Sequence, residues 1–289
     1  MVVIFWHITS FRNIQVLSIY WYVCTSDLSW MDIMDKIEIE IKNWSNFAEV
    51  MVNKHYRRYI YRGQKDSNWK LETTLKRAIN KLEIHDRFWE GREKSLIETF
   101  QRKAHMYLRR LPPIDKKIEN WLEWLSVMQH YGAPTRLLDW TYSPFIAAFF
   151  ALEELKEKSC VWEIDYRILR RSNIKLAGEN FISKVFQDNY EWEIVFPYEP
   201  RLQNERLIAQ QGLFICTNEL GETIDEIIDN HDLYEKILTK YIFTFNRNEI
   251  KKALKSLKMM NIDNSKLFPG IDGLSKSLSL QLLEARSVL

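Results

Sequence analysis

Charged residues alternate with isoleucine over residues 36–41, the two-residue period of a strand buried on one face. Asn43-Trp44-Ser45 offers a helix cap, and the spacing predicts a helix over 46–54. Tyr59-Ile60-Tyr61 reads as a short strand ending at Arg62-Gly63, followed by a polar turn over Lys65-Asp66-Ser67-Asn68. Helical spacing covers 73–82 and 86–111, and Pro112-Pro113 stops the second helix. Another amphipathic helix is predicted over 120–130, closed by Gly132 and Pro134. Ser143-Pro144 starts a largely buried one, because serine caps, proline fits the first turn and 145–152 is apolar.

Residues 161–164 and 212–216 read as strands, and 165–200 as irregular and loop-rich. Residues 234–245 read as helix then strand, 247–260 as an amphipathic helix, and a last helix starts at Ser275. There is no internal repeat and no regular βα alternation. The expected class is α+β: a mixed or antiparallel sheet core flanked by helices, in a single domain over 31–289. Residues 1–30 are apolar and aromatic, but Arg12, Asn13 and Gln15 interrupt them before any stretch reaches the roughly 20 residues of a spanning helix. They lack a basic start and a clear cleavage site, which argues against a secretory signal. The expectation is an over-extended gene start, with Met31 or Met34 as the natural first residue; a packed N-terminal element is the alternative.

Composition narrows the function classes. Lys and Arg number 41 against 39 Asp and Glu, so no global charge demands a nucleic acid or a membrane. Cys24, Cys160 and Cys216 show no paired spacing, which fits a reducing, cytoplasmic setting and no zinc motif. No phosphate-loop motif occurs. The 86–111 helix carries Arg87, Arg92, Lys94, Arg102, Lys103, Arg109 and Arg110; a solvated face explains them better than a nucleic-acid surface.

Three blocks carry a resemblance. They are Tyr61-Arg62-Gly63-Gln64 with Trp69 and Leu71; Gln129-His130-Tyr131-Gly132-Ala133-Pro134-Thr135-Arg136-Leu137-Leu138-Asp139-Trp140 with Ser143-Pro144; and Asn204-Glu205-Arg206 with Gln210-Gln211-Gly212-Leu213-Phe214, then Leu267-Phe268-Pro269-Gly270. The chain resembles the FRG-domain family, whose namesake Phe-Arg-Gly segment is here Tyr-Arg-Gly. That family's layout is similar to ADP-ribosyltransferases, where an Arg or His beside Gly, a hydroxyl or aromatic residue entering a buried helix, and a later acid share one site. The resemblance gives Arg62 the first role, Thr141, Tyr142 and Ser143 the second, and Glu205 the third, with Gln210 as its alternative. No unmistakable acid-x-acid or Ser-Thr-Ser motif is present.

What this implies is an NAD-dependent ADP-ribosyltransferase acting on a macromolecule, nucleic acid among the candidates, as a toxin or anti-phage effector under an antitoxin or inhibitor. A nucleotide- or nucleic-acid-binding module without catalysis, or an NAD glycohydrolase using the same site, are the alternatives. Breaking the nicotinamide–ribose bond builds positive charge on the ribose carbon, which a carboxylate such as Glu205 stabilises. Arg62 offers a planar fork of donors to a pyrophosphate, and Gly63 lets a ligand approach closely; a salt bridge from Arg62 to Asp139 or Glu205 is the structural alternative. His130 is read as a general base or ligand-binding imidazole, against a helix-capping role. Thr135, Arg136, Asp139, Trp140 and Gln210 complete the expected cofactor-binding set, with Trp140 able to stack on a base. The structural alternatives are Trp140 in the core, Gln210 satisfying backbone groups at a bulge, and, the reading preferred for that pair, Arg136 meeting Asp139 three residues on to lock the segment after Pro134.

Overall fold

The computed structural model describes the backbone of Ser10–Phe11 and Ile14–Gln15, and residues 37–156, 158–186, 190, 192–230, 234 and 237–284; side chains beyond Leu278 are not described. The expectations for residues 1–30 and Cys24 therefore lie essentially outside the described residues. The strands β1 (Ser10–Phe11) and β2 (Ile14–Gln15) form a small antiparallel ladder.

Seven strands build the main sheet: β3 (Ile37–Ile41), β4 (Tyr59–Gln64), β5 (Leu137–Thr141), β6 (Ser159–Asp165), β7 (Val195–Tyr198), β8 (Gly212–Thr217) and β9 (Leu238–Phe243). Their order is β3-β9-β6-β4-β5-β8-β7. Only β3 and β9 run parallel; every other neighbouring pair is antiparallel, so the class is α+β with a mixed sheet. Helices α1 (Trp44–Val52), α5 (Pro144–Leu152) and α10 (Arg247–Met259) supply the residues that close one core against Tyr61, Val161, Tyr241 and Phe243. A second core holds Ile60, Leu138, Trp140, Trp162 and Leu213, from the alternate positions of the central strands. A third surrounds Leu137, Phe214 and Cys216 with residues of α3 (Trp89–Ala104) and α4 (Ile118–His130).

Local sequence explains most element ends. The Asn43 side chain accepts from the Asn46 amide to cap α1, and the Thr73 hydroxyl caps α2 (Thr74–Lys81) by accepting from Lys76. Ser143 accepts from the Ile146 amide and Pro144 occupies the first turn of α5. Gly132, at φ 79°, turns the chain out of α4.

Four expectations are corrected. β4 runs through Gly63 to Gln64 instead of ending at Gly63. The 86–111 helix is a 3-10 turn, Asp86–Phe88, followed by α3, which ends at Ala104; beyond it Met106 and Tyr107 are exposed, so no buried face sustains a longer helix. Residues 165–200 hold α6 (Tyr166–Ala177), α7 (Phe181–Val185) and β7. The buried stripe of α6 includes Ser172 and Asn173, and those polar residues hid its period. The last helix, α12 (Ile271–Glu284), begins four residues early. Three short helices were not anticipated: α8 (Glu205–Ala209), α9 (Ile224–Asp229) and α11 (Asn264–Leu267). Of the span 234–245, expected as helix then strand, β9 takes Leu238–Phe243, which leaves no room for a helix among the described residues before it; residues 235 and 236 lie outside them. Among the described residues, no helix is long and apolar enough to cross a membrane.

Gly63 lies under the α5 backbone. A Cβ there would meet the Ala147 carbonyl oxygen far inside contact and the Ala151 amide at 2.8 Å. Gly63→Ala is therefore expected to destabilise the protein by about 3 kcal/mol, the upper end for overpacking, because backbone must give way. Urea unfolding of the variant measures this, and a loss below about 1 kcal/mol would refute the close approach.

Candidate functional site

The sheet is weakly joined where β4 meets β5. β4 pairs with β6 along its whole length, from Tyr59 opposite Asp165 to Gln64 opposite Cys160. With β5 it shares a single pair, Tyr61 opposite Thr141. One step further the register would set Arg62 opposite Trp140, and there the strands part. The Arg62 guanidinium bridges the gap, donating from Nη1 to the main-chain carbonyl of Asp139 at 2.6 Å.

Arg62 is half-buried, yet its Nε is wholly buried and has no acceptor. The indole Nε1 of Trp140 is likewise buried without an acceptor. Alternation along the strands puts Arg62 on the face of Ile60, the face that also takes Leu138 and Trp140. Arg62 forms no ion pair among the described residues. Burial lowers the proton affinity of its guanidinium; the charge of Asp139 offsets this and that of Arg77 adds to it. The result is a positive, donor-rich spot with no carboxylate in ion-pair contact among the described residues.

A polar clasp frames it. Gln129, at the end of α4, donates from Nε2 to the Asp139 carboxylate at 3.0 Å and accepts from the Thr135 hydroxyl at 2.6 Å. The Thr74 hydroxyl receives the Thr135 amide at 3.0 Å, and the Thr135 carbonyl receives the Leu75 amide at 3.0 Å. Thr135 is fully buried and so ties α2, α4 and β5 together, with its own groups occupied. Asp139 is exposed. The site residue missed in the sequence is Gln129, which stood in the quoted motif but takes its meaning from three elements that meet only in the fold.

Arg136 does not meet Asp139. In extended chain, residues three apart point to opposite faces, so the pairing expected across a turn fails. Arg136 instead reaches α3. Its Nε donates to Glu93 Oε1 at 2.8 Å and its Nη2 to Glu93 Oε2, while Nη1 donates to the Thr217 and Asn218 carbonyls. Trp121 and Phe186 lie over the same guanidinium at 5.3 and 5.5 Å.

At the far end of β5, the Thr141 hydroxyl donates to the Gln210 carbonyl at 2.7 Å and accepts from the Ser143 amide at 3.0 Å. The Tyr142 amide donates to the Gln211 carbonyl, and its hydroxyl to Glu199. Burial and that carboxylate push the Tyr142 phenol well above its ordinary range. Gln210 donates from Nε2 to the Leu267 carbonyl. Thr141, Tyr142, Ser143 and Gln210 thus come together at the β4–β5 junction, each with at least one side-chain polar atom bonded within the protein. Trp140 is 3% exposed and packed in the core, so its ring faces are not open for stacking as the structure stands. Gly63 is explained by α5. Glu205 is the exposed first residue of helix α8, whereas the expected role had placed an acid on a strand. His130 ends α4, half-buried, with its ring 4.7 Å from that of Tyr131.

Residues 57–160 match the family model described as the FRG domain. The match takes in Arg62, the Gln129–Thr135 clasp, Asp139 and α5. No curated protein and no solved structure matches the chain.

Two predictions follow from this geometry. Glu93→Ala leaves the Arg136 guanidinium buried and uncompensated, and is expected to cost about 3–5 kcal/mol in chemical denaturation. Burial first, and the Arg206 charge second, lower the His130 imidazole below its ordinary 6.5. Between those two pKa values the unfolded chain binds more protons, so stability falls as pH drops from 6.5 through the folded value. An NMR titration is expected to find a midpoint below 6.5 that rises in Arg206→Ala; an unmoved midpoint would remove the Arg206 contribution.

Proposed function

Taking the FRG domain as premise, we propose that this chain binds NAD through its phosphates at the β4–β5 gap and uses it as an ADP-ribose donor to a macromolecule. The observation that carries the binding half is Arg62 Nε, buried without an acceptor on the side chain that bridges the strand gap; Trp140 Nε1 is likewise buried without one. A phosphate supplies acceptor oxygens and the negative charge that an uncompensated buried guanidinium lacks. Arg62 is held in place for this by the Asp139 carbonyl. In the transfer, the bond from the ribose carbon to the nicotinamide nitrogen breaks. Nicotinamide leaves with the electron pair, and an acceptor oxygen or nitrogen bonds to that carbon as its proton passes to a base. Asp139, exposed on β5, and Glu205, exposed on α8, are the carboxylates on which the developing positive charge can be tested. His130 remains the imidazole proposed as base.

A second reading has its own support. The hydroxyls of Thr141 and Ser143 are engaged within the protein, and Glu205 stands on a helix, which favours a module that holds the nucleotide without breaking it. Incubation with NAD labelled in the adenylate half, with RNA, DNA and protein fractions, separates the two. The transferase reading expects label in one fraction, lost in Arg62→Ala and reduced at least about 100-fold in the variant of the working carboxylate, Asp139→Asn or Glu205→Gln. Nicotinamide release without transfer would mark a glycohydrolase. Binding of NAD by folded wild type with neither product would establish the binding module, and no binding at all would sink both readings.

A further inference from the structure

We propose that the connector between α3 and α4 is a binding surface for single-stranded nucleic acid, which it holds by the phosphates and by stacking on Tyr107. The inference is independent of what happens at the Arg62 site. The basic run read along residues 86–111 divides where α3 ends. On the helix, Glu90 and Glu98 stand among Arg92 and Lys94, the mixture of a solvated face. Residues 102–117 differ: Arg102, Lys103, Arg109, Arg110, Lys116 and Lys117 are set against a single acid, Asp115. All six cations are exposed, and none forms an ion pair among the described residues. Asp115 does not neutralise them. Its carboxylate is turned to the head of α4, accepting from the Lys117 amide and from Asn120 Nδ2 at 2.9 Å.

The fold gathers these charges at one end of a helix pair. Phe100, near the end of α3, packs its ring on that of Trp124 at 6.3 Å, while Glu93, earlier in α3, reaches Arg136 beyond the end of α4. The helices therefore run antiparallel, and Arg102-Lys103 and Lys116-Lys117 are the two feet of the connector, with Arg109-Arg110 between them. The connector is tied down. The Tyr107 and Leu108 amides donate to the Ala104 carbonyl, Pro112 is buried, and the Pro113 carbonyl accepts from the Trp124 indole at 3.0 Å. Helix stability does not explain the lysines, since Lys116 and Lys117 stand at the positive end of α4, where a cation is disfavoured. Tyr107 is 80% exposed, which leaves its ring open to a base. Cations along a backbone path and an open aromatic ring are the two elements by which proteins hold single strands. The irregular connector offers neither a helix nor a β-ribbon to a duplex groove. Nor does it suit a membrane, because inserting Met106, Tyr107 and Ile114 would carry irregular backbone into lipid. The surface is distinct from the clasp: Lys117 heads α4, and Gln129 lies about 18 Å further along at the helical rise.

The test is fluorescence anisotropy of the full chain with labelled oligo(dT), oligo(U) and a mixed-sequence duplex, without NAD. A single strand is expected to bind more tightly than the duplex, and the preference between oligo(dT) and oligo(U) tells DNA from RNA. The slope of log K against log salt is expected to be about −4 when all six cations meet phosphates. Arg109→Ala combined with Arg110→Ala is expected to weaken binding about tenfold and to flatten that slope by about 1.4. Tyr107→Ala is expected to weaken binding about tenfold with the slope unchanged. Lys251→Ala combined with Lys255→Ala, both exposed on α10, is expected to change neither. Thermal melting reports whether each variant is folded. Losses from the α10 pair equal to those from the arginine pair, or a duplex bound as tightly as either strand, overturn the proposal. So does folded wild type that binds no single strand, and binding to phosphatidylserine vesicles in its place would make the connector a membrane contact.

Discussion

The close approach of α5 to β4 at Gly63 is the constraint on which the rest of the molecule turns. The chain leaves β5 at Thr141, turns through Tyr142 and Ser143, and lays the α5 backbone where a Cβ at position 63 would otherwise stand. That contact lets Ala147, Ala148 and Ala151 sit under the same core as Tyr61, Val161 and Tyr241. It also fixes where β5 begins and ends relative to β4. Past the single pair at Tyr61 and Thr141, the Asp139 carbonyl is taken by an arginine side chain instead of a strand amide, and the ladder stops. The gap is a consequence of how strand and helix are joined, and Arg62 is the residue that stabilises its edge.

Two arginines in this domain show opposite solutions to the cost of burying charge. Arg136 is neutralised by Glu93 in a two-pronged pair, bonded to two carbonyls and covered by two rings. Nothing is left for a ligand to do there, and its value is structural, joining α3 to the start of β5 and the end of β8. Arg62 has one carbonyl, one buried N–H without an acceptor, and no carboxylate within ion-pair reach among the described residues. A buried charge left so incompletely satisfied costs free energy on folding. Such a cost is offset when a ligand supplies the missing acceptor, which is why the two side chains, alike in the sequence, are read differently.

Much of this was legible beforehand, and the failures have physical causes. Short strands with clean alternation and helices with a polar cap were readable because their signals are local: Asn43, Thr73 and Ser143 each mark a helix start within three residues. Arg62 beside Gly63 was marked as important, though the glycine serves the packing of α5. What the sequence concealed were relations between distant segments. Arg136 looked paired with Asp139 because they are near in sequence, while its partner Glu93 lies 43 residues away. Asn173 looked like a loop residue, yet its side chain donates to the Val195 carbonyl and accepts from Tyr234, so a polar residue occupies the buried stripe of a helix.

Where chemistry would reside follows from how the site is divided. The FRG match ends at Cys160, so it contains the anchor, the clasp and Asp139 but excludes Glu205 and Gln210. Gln210 is nonetheless bound to the site through its carbonyl and Thr141, and Gln211 through its carbonyl and Tyr142. The segment from α8 into β8 is therefore fastened to the end of β5 by main-chain carbonyls, whose hold does not depend on the side chains at those positions. An acid on that segment is free to vary without disturbing the fold. A carboxylate at Asp139 is not, because it carries Gln129, while the main-chain carbonyl of the same residue carries Arg62. The anchor and Asp139 are thus one mechanical unit, while α8 is an attachment to it. On the proposed reading, a ligand at Arg62 would meet the β5 backbone at Asp139 first, and whatever α8 presents only through the Thr141 link.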